Sequence, residues 1–212
     1  RRGTSFSFPE TKLIHVDLDA GELGKNYPCD VAILGDARGV MDQLTAGLAA
    51  CGPAPDRGAY HRELLSLKAA WRKALLEKRG ADRGLITISQ LIGELNDCLP
   101  GDAIVTSSSG NTQAQLFQEF MFTGEQRHLT TGGFSTMGWA LPAAIGAKLA
   151  KPKAPVIALM GDGDFMMTMQ ELSLLAQYDI PVVVVLANNN GWLAIKDLQM
   201  DAFGPEYAFG ND

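Results

Sequence analysis

The chain has 212 residues, 46% of them hydrophobic and 20% charged, which is ordinary for a globular protein and excludes disordered and collagen-like chains. A net charge of −6, without a run of Lys or Arg longer than two, provides no electrostatic surface for nucleic acid or an acidic membrane, so small molecules and other protein subunits are the expected partners. Three scattered cysteines, Cys29, Cys51 and Cys98, favour neither a disulfide framework nor a zinc site, and the apolar run Pro181–Ala187 is far shorter than the roughly eighteen residues of a membrane-spanning helix, so we expect a cytoplasmic protein.

Strand and helix patterns alternate from near the N-terminus. After Asp36, a good helix N-cap, apolar residues recur at helical spacing. This pattern predicts a small α/β unit. Its predicted elements are a strand over Lys12–Asp17, a turn over 19–26, a strand over Val31–Gly35 and a helix from Asp36 to about Ala50.

A break follows this first unit. Residues 51–56, Cys-Gly-Pro-Ala-Pro-Asp, place two prolines and a glycine after a helix, which is typical of a linker. We therefore place a domain boundary there. The predicted division is residues 1–51 as the end of one domain, residues 52–80 as a linker and helix, and residues 81–212 as a second domain.

Beyond the boundary, helices and strands alternate regularly. Runs of valine, isoleucine and leucine such as residues 182–186 are typical of strands buried on both faces of a sheet. Alternation of helices with such strands predicts an α/β fold with a doubly wound parallel sheet. The predicted helices are Tyr60 to about Lys78, Ser89–Leu99, Thr112–Met121, Gly138–Ala150 and Met167–Tyr178, and the predicted strands are Ala103–Thr106, Arg127–Thr131, Pro155–Met160 and Pro181–Ala187.

Three polar loops that contain glycine follow three of these strands, at residues 107–111, 161–164 and 188–191. In a doubly wound sheet, ligands bind in the loops at the carboxyl ends of the strands. We therefore expect the three loops to lie along one edge of the sheet and to form a ligand site together.

The tripeptide Gly161-Asp162-Gly163 ends a hydrophobic strand and precedes a helix. Its glycines let the backbone approach an anionic ligand closely, and the helix N-terminus offers free N–H groups, which suits a phosphate. The Asp162 carboxylate would repel that phosphate unless a hard cation such as Mg²⁺ lies between them. Taken alone, the tripeptide is more often a tight turn.

Asn189 follows Asp162 by 27 residues, with one predicted helix and one predicted strand between them. This strand–helix–strand spacing places both side chains at the same edge of the sheet. The Asn189 side-chain oxygen and a backbone carbonyl of the loop are hard, neutral ligands that suit Mg²⁺ better than zinc or copper. Asp162, Asn189 and the Gly191 carbonyl are therefore the predicted magnesium ligands, with diphosphate oxygens and water completing an octahedron.

With this spacing, Gly161-Asp-Gly and Asn188-Asn189 resemble the GDG…NN signature of enzymes that depend on thiamine diphosphate (ThDP) and Mg²⁺. The resemblance is closest to the acetolactate synthase-like branch and covers the whole chain. Residues 12–37 resemble the end of that branch's middle, Rossmann-like domain, and the remainder resembles most of its diphosphate-binding domain.

The resemblance also implies which residues hold the diphosphate. Asp164 stands where the family usually has a small or hydroxyl residue, so a second carboxylate would lie near the diphosphate, and it would either turn away or bind a water of the metal shell. The implied diphosphate contacts are Asn111, Thr112, Gly163 and Asp164.

Residues 132–142, Gly-Gly-Phe-Ser-Thr-Met-Gly-Trp-Ala-Leu-Pro, resemble the stretch that holds the aminopyrimidine ring of ThDP. In the family a bulky apolar residue, here Met137, wedges between the two rings of the cofactor. The resemblance implies that the Met137 N–H and the Ser135 carbonyl bond the pyrimidine, with Thr136 between them. The wedge brings the exocyclic nitrogen beside the thiazolium C2–H, so an internal base can activate the cofactor. A simple core methionine is the alternative interpretation of Met137.

The resemblance implies an enzyme that breaks or makes carbon–carbon bonds. Acetolactate synthases carry a bulky Met and Trp after the NN motif, and the matching positions here are Ala194 and Leu198. We therefore expect a lyase, transferase or hydrolase that acts on another 2-oxo acid or a diketone, with a true acetolactate synthase as the first alternative. A non-catalytic cofactor-binding homologue or fragment is the alternative from another class.

The glutamate that protonates the cofactor ring belongs to the family's N-terminal domain, which is absent from this sequence. The chain opens on Arg1 without a methionine or a signal-peptide core and stops at Asp212 after an unfinished loop, so we expect a segment of a longer protein. The active site would form with the pyrimidine-binding domain of a partner subunit, in a homodimer or homotetramer.

Asp17, Asp36 and Ala37 match positions that contact FAD in the flavin-containing members of this branch. FAD is therefore a possible second cofactor under the resemblance. The alternative is that these are ordinary strand-end and helix-cap residues, because Asp36 suits an N-cap with or without a flavin.

Overall fold

The computed structural model describes residues 6–8, 10–81 and 84–208 and divides the chain into two compact units after residue 64. The division falls within helix α2 (Gly58–Gly80), and the boundary predicted over residues 51–56 stays a prediction. The predicted unfinished loop before Asp212 lies outside the described residues. None of the helices that the structure describes is both long and apolar enough to cross a membrane. Cys29, Cys51 and Cys98 are free thiols.

The first unit is built on a two-stranded parallel sheet. Strands β1 (Ile14–Asp17) and β2 (Val31–Leu34) pair side by side, and helix α1 (Ala37–Ala50) follows them. The Asp36 carboxylate accepts the Gly39 N–H at 3.1 Å and caps α1. The predicted strands and helix of this unit are confirmed, and their ends differ from the prediction by no more than the usual uncertainty of element boundaries.

A four-stranded parallel sheet forms the centre of the second unit. Its strands lie in the order β4–β3–β5–β6. The chain runs outward from β3 to β4, crosses back over β3 to β5, and continues outward to β6, which confirms the predicted doubly wound α/β fold. The strands are β3 (Ile104–Ser107), β4 (Arg127–Thr130), β5 (Val156–Gly161) and β6 (Val183–Ala187).

Helices cover both faces of this sheet. The helices after α2 are α3 (Ile88–Cys98), α4 (Asn111–Glu119), α5 (Ala140–Ala150), α6 (Asp162–Met166), α7 (Leu172–Gln177) and α8 (Leu193–Phe203). Ile92 and Leu116 of α3 and α4 pack with Leu159 on one face, and Leu141 of α5 packs near Met160 on the other. Because successive residues of a strand point to opposite faces, β5 contributes to both clusters and fixes the sheet between the helices.

The helix predicted over Met167–Tyr178 is wrong, because the chain bends there. Helix α6 ends at Met166, before the predicted helix would begin, and Thr168 leaves helical geometry with φ −137° and ψ 15°. A 3-10 turn over Met169–Glu171 then leads into α7. Phe165 of α6 and Leu174 of α7 both pack against the cluster on the α5 face. The bend therefore directs two short helices onto one apolar surface.

Strand β6 is not buried on both faces, contrary to the prediction from the valine run at residues 182–186. Among the described strands its one neighbour is β5, so it lies at the edge of the sheet. Val183 is 60% exposed and Leu186 is 42% exposed. The run is compatible with a central or an edge strand, since β-branched side chains suit either position.

Candidate functional site

The three segments predicted as loops meet at one cavity of about 230 Å³ in the second unit. The loop predicted over residues 161–164 is wrong, because Gly161 ends β5 and α6 begins directly at Asp162. The cavity lies at the carboxyl edge of β3, β5 and β6. The chain leaves β3 into α4, on the face shared with α3, and leaves β5 into α6, whose Phe165 packs on the α5 face. The segments after neighbouring strands thus turn to opposite faces and leave a crevice between them, as expected at a topological switch point.

Most of the residues predicted for the cofactor and the metal line this cavity. Ser135 and Thr136 do not line it. The predicted residues in the cavity wall are Asn111, Thr112, Met137, Asp162, Gly163, Asp164, Asn189 and Gly191. The structure therefore brings together side chains from all three segments, while their roles toward cofactor and metal stay predictions.

Asp162 ties two of these segments together. One carboxylate oxygen accepts the N–H of Gly163 at 2.9 Å, and the other accepts the N–H of Gly191 at 2.9 Å. The second bond joins the start of α6, which directly follows β5, to the loop after β6. Gly191 thus donates its backbone N–H to Asp162, and the carbonyl of Gly191 is the group predicted to bind magnesium.

The loop of residues 188–191 is shaped by its asparagines. Asn190 adopts a left-handed conformation with φ 60°, which asparagine tolerates better than most residues. Its N–H donates to the Asn188 side-chain oxygen at 2.9 Å, which closes an Asx turn. Asn188 therefore supports the turn, and Asn189 between these two residues lies in the cavity wall.

The donor set at this edge fits Mg²⁺. A carboxylate, a side-chain amide oxygen and backbone carbonyls are hard ligands of low total charge. In the described part of the chain, no group of three or more His, Cys, Asp or Glu residues forms a metal site. A cation held by Asp162 and Asn189 would need further oxygens from water or from an anionic ligand, as a bound diphosphate would supply.

Gly163 lies under the indole of Trp192. A Cβ atom built on Gly163 would come within 1.8 Å of the Trp192 Nε1 atom, so any side chain at this position would displace the indole. Trp192 is 43% exposed and belongs to the cavity wall. Trp192 was not predicted to line the site, although an aromatic residue directly after Gly191 was the available signal.

The wall beyond Trp192 comes from helix α8, which was not predicted. Leu193, Ala194, Ile195 and Leu198 of this helix line the cavity. Ala194 and Leu198 are the two positions matched above to the bulky Met and Trp of acetolactate synthases. The structure therefore places the residues that distinguish this sequence in the same cavity as the predicted metal ligands.

The segment before α5 brings Met137 into the cavity wall. Ser135 has a left-handed backbone with φ 52°, and its hydroxyl lies 3.4 Å from the Gln113 side-chain oxygen. The Thr136 hydroxyl donates to the Met137 carbonyl at 3.0 Å, and the Thr136 carbonyl lies 3.5 Å from the Ser109 N–H. Ser135 and Thr136 thus shape the segment from outside the cavity.

Asp164 is in the cavity wall, but its carboxylate is directed into the protein. The residue is 3% exposed, and its carboxylate accepts a hydrogen bond from the Gly138 N–H. Burial raises the pKa of the Asp164 carboxyl, and the Gly138 N–H and the nearby Ser108 hydroxyl offset part of that rise. Its predicted contact with the diphosphate stays a prediction, and these contacts favour another role.

Ser108 and Gln113 are buried polar residues that the sequence analysis misses. The Ser108 hydroxyl oxygen accepts the N–H groups of Trp139 and Ala140 at 3.1 and 2.7 Å. Gln113 donates to the Thr130 hydroxyl. Only their position in or next to a predicted binding loop signalled a role, because each bond reaches a segment that is distant in sequence.

The three residues matched to FAD contacts lie in the first unit. Asp17 ends β1 and accepts the Asp19 N–H at 2.9 Å, while Asp36 caps α1 and Ala37 is the first residue of that helix. Both carboxylates follow strands that are parallel neighbours, so they lie at the same edge of the two-stranded sheet. Each already makes the local bond expected of a turn or cap residue.

Comparison with known proteins identifies one matching protein family and several related proteins. Residues 108–211, which include every residue of the cavity wall described above, match the family "Thiamine pyrophosphate enzyme, C-terminal TPP binding domain". The probable acetolactate synthase large subunit of Methanocaldococcus jannaschii is 36% identical over 188 residues, which cover 85% of this chain and 31% of that protein.

Two further relatives show similar coverage. The acetolactate synthase isozyme 3 large subunit of Escherichia coli is 33% identical over 90% of this chain and 33% of its own length. The acetolactate synthase of Mycobacterium bovis is 34% identical over 94% of this chain and 32% of its own length. The chain spans about a third of the length of these curated relatives. It belongs to the thiamine-diphosphate-dependent enzyme family, in the acetolactate synthase-like branch.

Proposed function

We propose that the second unit binds the diphosphate of ThDP through a magnesium ion in the cavity described above. The full-length protein would use the cofactor to cleave or form a carbon–carbon bond next to a carbonyl group. The single observation that carries this proposal is the convergence of Asp162, Asn189 and Met137 on one cavity at the switch point of the sheet.

Asp162 and Asn189, with the Gly191 carbonyl, would hold the magnesium ion. The Asp162 carboxylate is already oriented by two backbone N–H groups, which lowers the cost of ordering it when the ion binds. The diphosphate would then lie against Asn111, Thr112 and the backbone of Gly163. Their position at strand ends and helix starts supports an anion site.

When bound, ThDP supplies an electron sink for carbanion chemistry at a carbonyl carbon. Met137 would wedge between the two rings of the cofactor, and the backbone of residues 135–137 would bond the aminopyrimidine. The protein's own contribution is thus to bend and position the cofactor.

The reaction is proposed to be that of a lyase, carboligase or hydrolase that takes a 2-oxo acid or a diketone. Ala194 and Leu198 line the cavity where acetolactate synthases carry a bulky Met and Trp, which supports a substrate other than that of acetolactate synthase. A true acetolactate synthase is the alternative enzyme, and the names of the relatives support it. A cofactor-binding protein without catalysis is the alternative from another class.

The activating glutamate is proposed to come from a pyrimidine-binding domain of a partner subunit, so catalysis would require a homodimer or homotetramer. FAD is proposed as a second cofactor of the first unit, supported by the placement of Asp17 and Asp36 at one sheet edge. A flavin absorption spectrum of the purified full-length protein tests that part directly.

The proposed cofactor site is tested by calorimetric titration of the full-length protein with ThDP at saturating Mg²⁺. Asp162→Ala should weaken ThDP binding by roughly 30-fold or more, because it removes the charged ligand of a buried ion. Asp102→Ala is a matched control, since Asp102 is exposed and precedes β3, at the opposite edge of the sheet. If Asp162→Ala binds ThDP as tightly as the control, the proposed site is wrong.

The reaction is tested by assaying the wild-type protein, with ThDP and Mg²⁺, against pyruvate, other 2-oxo acids and cyclic diketones. Fastest turnover of a substrate other than pyruvate supports the proposal. Acetolactate formation as the fastest reaction favours the alternative enzyme, and tight ThDP binding without turnover of any substrate favours the non-catalytic alternative.

A further inference from the structure

Three consecutive backbone N–H groups, those of residues 138–140, are directed at one buried pair of side chains. The Asp164 carboxylate accepts the Gly138 N–H, and the Ser108 hydroxyl oxygen accepts the N–H groups of Trp139 and Ala140. The Ser108 hydroxyl also lies close enough to the Asp164 carboxyl to lower its pKa. Both side chains are only 3% exposed, so this pair belongs to the interior of the second unit.

The pair replaces a missing helix cap. Trp139 is the N-cap residue of α5 and has no side chain that can accept the free N–H groups of the first turn. Ser108, which comes from the loop after β3, supplies the acceptor instead. The positive end of the α5 dipole also favours the negative charge of Asp164 nearby. The loop after β3 and helix α6 are thereby joined to the start of α5.

The peptide between Met137 and Gly138 is held at both of its polar atoms. Its N–H belongs to Gly138 and donates to Asp164, and its carbonyl belongs to Met137 and accepts the Thr136 hydroxyl at 3.0 Å. Gly138 has φ +75°, and a Cβ on it would approach Met167 and Thr168 within 3.2 Å. The orientation of this peptide plane sets the direction in which the Met137 side chain leaves the backbone.

The same bonds argue against a contact between Asp164 and the bound diphosphate. A carboxylate that already accepts a backbone N–H, has a hydroxyl beside it and is almost wholly buried offers little free acceptor surface to a metal or its water. Breaking these bonds to reach the cavity would leave the Gly138 N–H without a partner in the interior, which is costly.

We propose that Asp164 is a positioning residue: together with Thr136 it clamps the 137–138 peptide and aims Met137 into the cofactor cavity, and it binds neither the metal nor the diphosphate. The proposal rests on the proposed function, because the value of aiming Met137 depends on a cofactor that bends around it. Ser108 supports the clamp by fixing the next two amides.

The first test is hydrogen–deuterium exchange of the full-length protein without cofactor, followed by mass spectrometry of peptides that cover residues 136–142. Asp164→Ala should speed exchange of the Gly138 amide roughly tenfold or more, because a charge-assisted hydrogen bond is lost. Thr136→Val removes the other bond of the clamp from an exposed position and should speed the same amide by a smaller factor, so it tests the proposal even if Asp164→Ala fails to fold. Thr123→Val, at another exposed threonine, should change nothing in this peptide.

The second test measures ThDP on the same variants at saturating Mg²⁺. Asp164→Ala and Thr136→Val should keep the ThDP dissociation constant within about tenfold of wild type, while deuterium exchange of the C2 proton of bound ThDP slows. Loss of ThDP affinity by Asp164→Ala as large as that caused by Asp162→Ala would make Asp164 a cofactor ligand and overturn the proposal. Unchanged exchange at both Gly138 and the C2 proton would overturn it as well.

The two tests separate this proposal from the proposed function. If Asp162→Ala binds ThDP normally, the cofactor site is wrong, whereas the exchange of the Gly138 amide still reports whether Asp164 holds that peptide. If Asp162→Ala loses binding but the Asp164 and Thr136 variants behave like Thr123→Val in every measurement, the cofactor site stands and the positioning role is wrong.

Discussion

The two sides of the cavity are built in opposite ways. The metal side, residues 161–163 and 188–191, places Asp162 and Asn189 at the surface of a crevice, where their oxygens can reach a ligand. The wedge side, residues 107–112 and 132–138, relies on buried groups such as Ser108, whose hydrogen bonds are all made within the protein. A substitution on the metal side should therefore weaken ThDP binding with little effect on the free energy of unfolding. A substitution on the wedge side should first lower the free energy of unfolding.

Ser108→Val is expected to have the largest effect and to act on stability. It leaves two N–H groups at the start of α5 without a partner in the interior and removes the hydroxyl beside the Asp164 carboxylate, which should lower the free energy of unfolding by about 2–4 kcal/mol. Urea denaturation of the cofactor-free protein measures it, with Ser66→Val on the exposed part of α2 as the control. A loss equal to that of the control would mean that the wedge side does not depend on this hydroxyl.

Asn189→Ala is expected to act on binding. Loss of one neutral ligand should weaken ThDP binding by roughly tenfold, about 1.4 kcal/mol, at a fixed Mg²⁺ concentration. The unfolding transition without cofactor should not move, because Asn189 lies in the wall of an open cavity. Calorimetry and urea denaturation on the same preparation check both halves, and Asn26→Ala, at an exposed position of the first unit, is the control. A shift of the transition with intact binding would contradict the contrast between the two sides.

Gly163→Ala tests whether the metal side tolerates a side chain. The new Cβ must displace the Trp192 indole, and because that side chain is partly exposed and able to rotate, the cost should be about 1 kcal/mol. The change should be visible as a shift in tryptophan fluorescence. Combining it with Trp192→Ala should remove the cost, and a larger loss in the double variant than in Gly163→Ala would show that the collision is not the cause.

His128→Gln should have the smallest effect, on the pH dependence of stability. Burial lowers the pKa of His128 below its usual 6.5, so between the lowered pKa and 6.5 the unfolded chain binds more protons than the folded protein. Stability from this residue is therefore present above pH 6.5 and is lost as the pH falls through that window. His128 lies on the strand beside the wedge side, with its Nε2 atom 2.7 Å from the Ser107 hydroxyl.

Denaturation at a series of pH values measures this contribution of His128. The slope below pH 6.5 should become smaller in His128→Gln than in wild type. The control is His61→Gln, an exposed position on α2 that should keep the wild-type slope. An unchanged slope in His128→Gln would assign the pH dependence to another group.

The metal side could be predicted from the sequence because its geometry follows from local rules. Asp162 comes directly after β5 and Asn189 two residues after the end of β6, and these strands are parallel neighbours, so the sheet itself brings both residues to one edge. The doubly wound fold was predictable for the same reason, since it depends on alternation of elements and not on any single contact. Asp36 as the cap of α1 follows from the first residues of the helix alone.

The resemblance implied Asn111, Thr112 and Met137 on the wedge side, but the buried hydrogen bonds of this side could not be predicted, because they join segments far apart in the chain. Asp164 and Gly138 are separated by 26 residues, and Ser108 and Ala140 by 32, and no spacing rule connects them. The exposure of Val183 could not be predicted either, since its valine run does not reveal how many strands lie beside it. The bend at Thr168 depends on where the apolar surface of α5 lies, which only the packed structure defines.

Ser108 and Asp164 both accept N–H groups at the start of α5, and this shared role constrains which substitutions the two positions allow. A replacement at either position alters what the other must accept or donate, so the two positions should tolerate change together more readily than singly. In a library randomised at both sites, the surviving clones should be correlated pairs, such as an exchange of the acid and the hydroxyl. Which substitutions position 164 tolerates thus depends on the residue at position 108, in the loop after β3, two strands earlier in the chain.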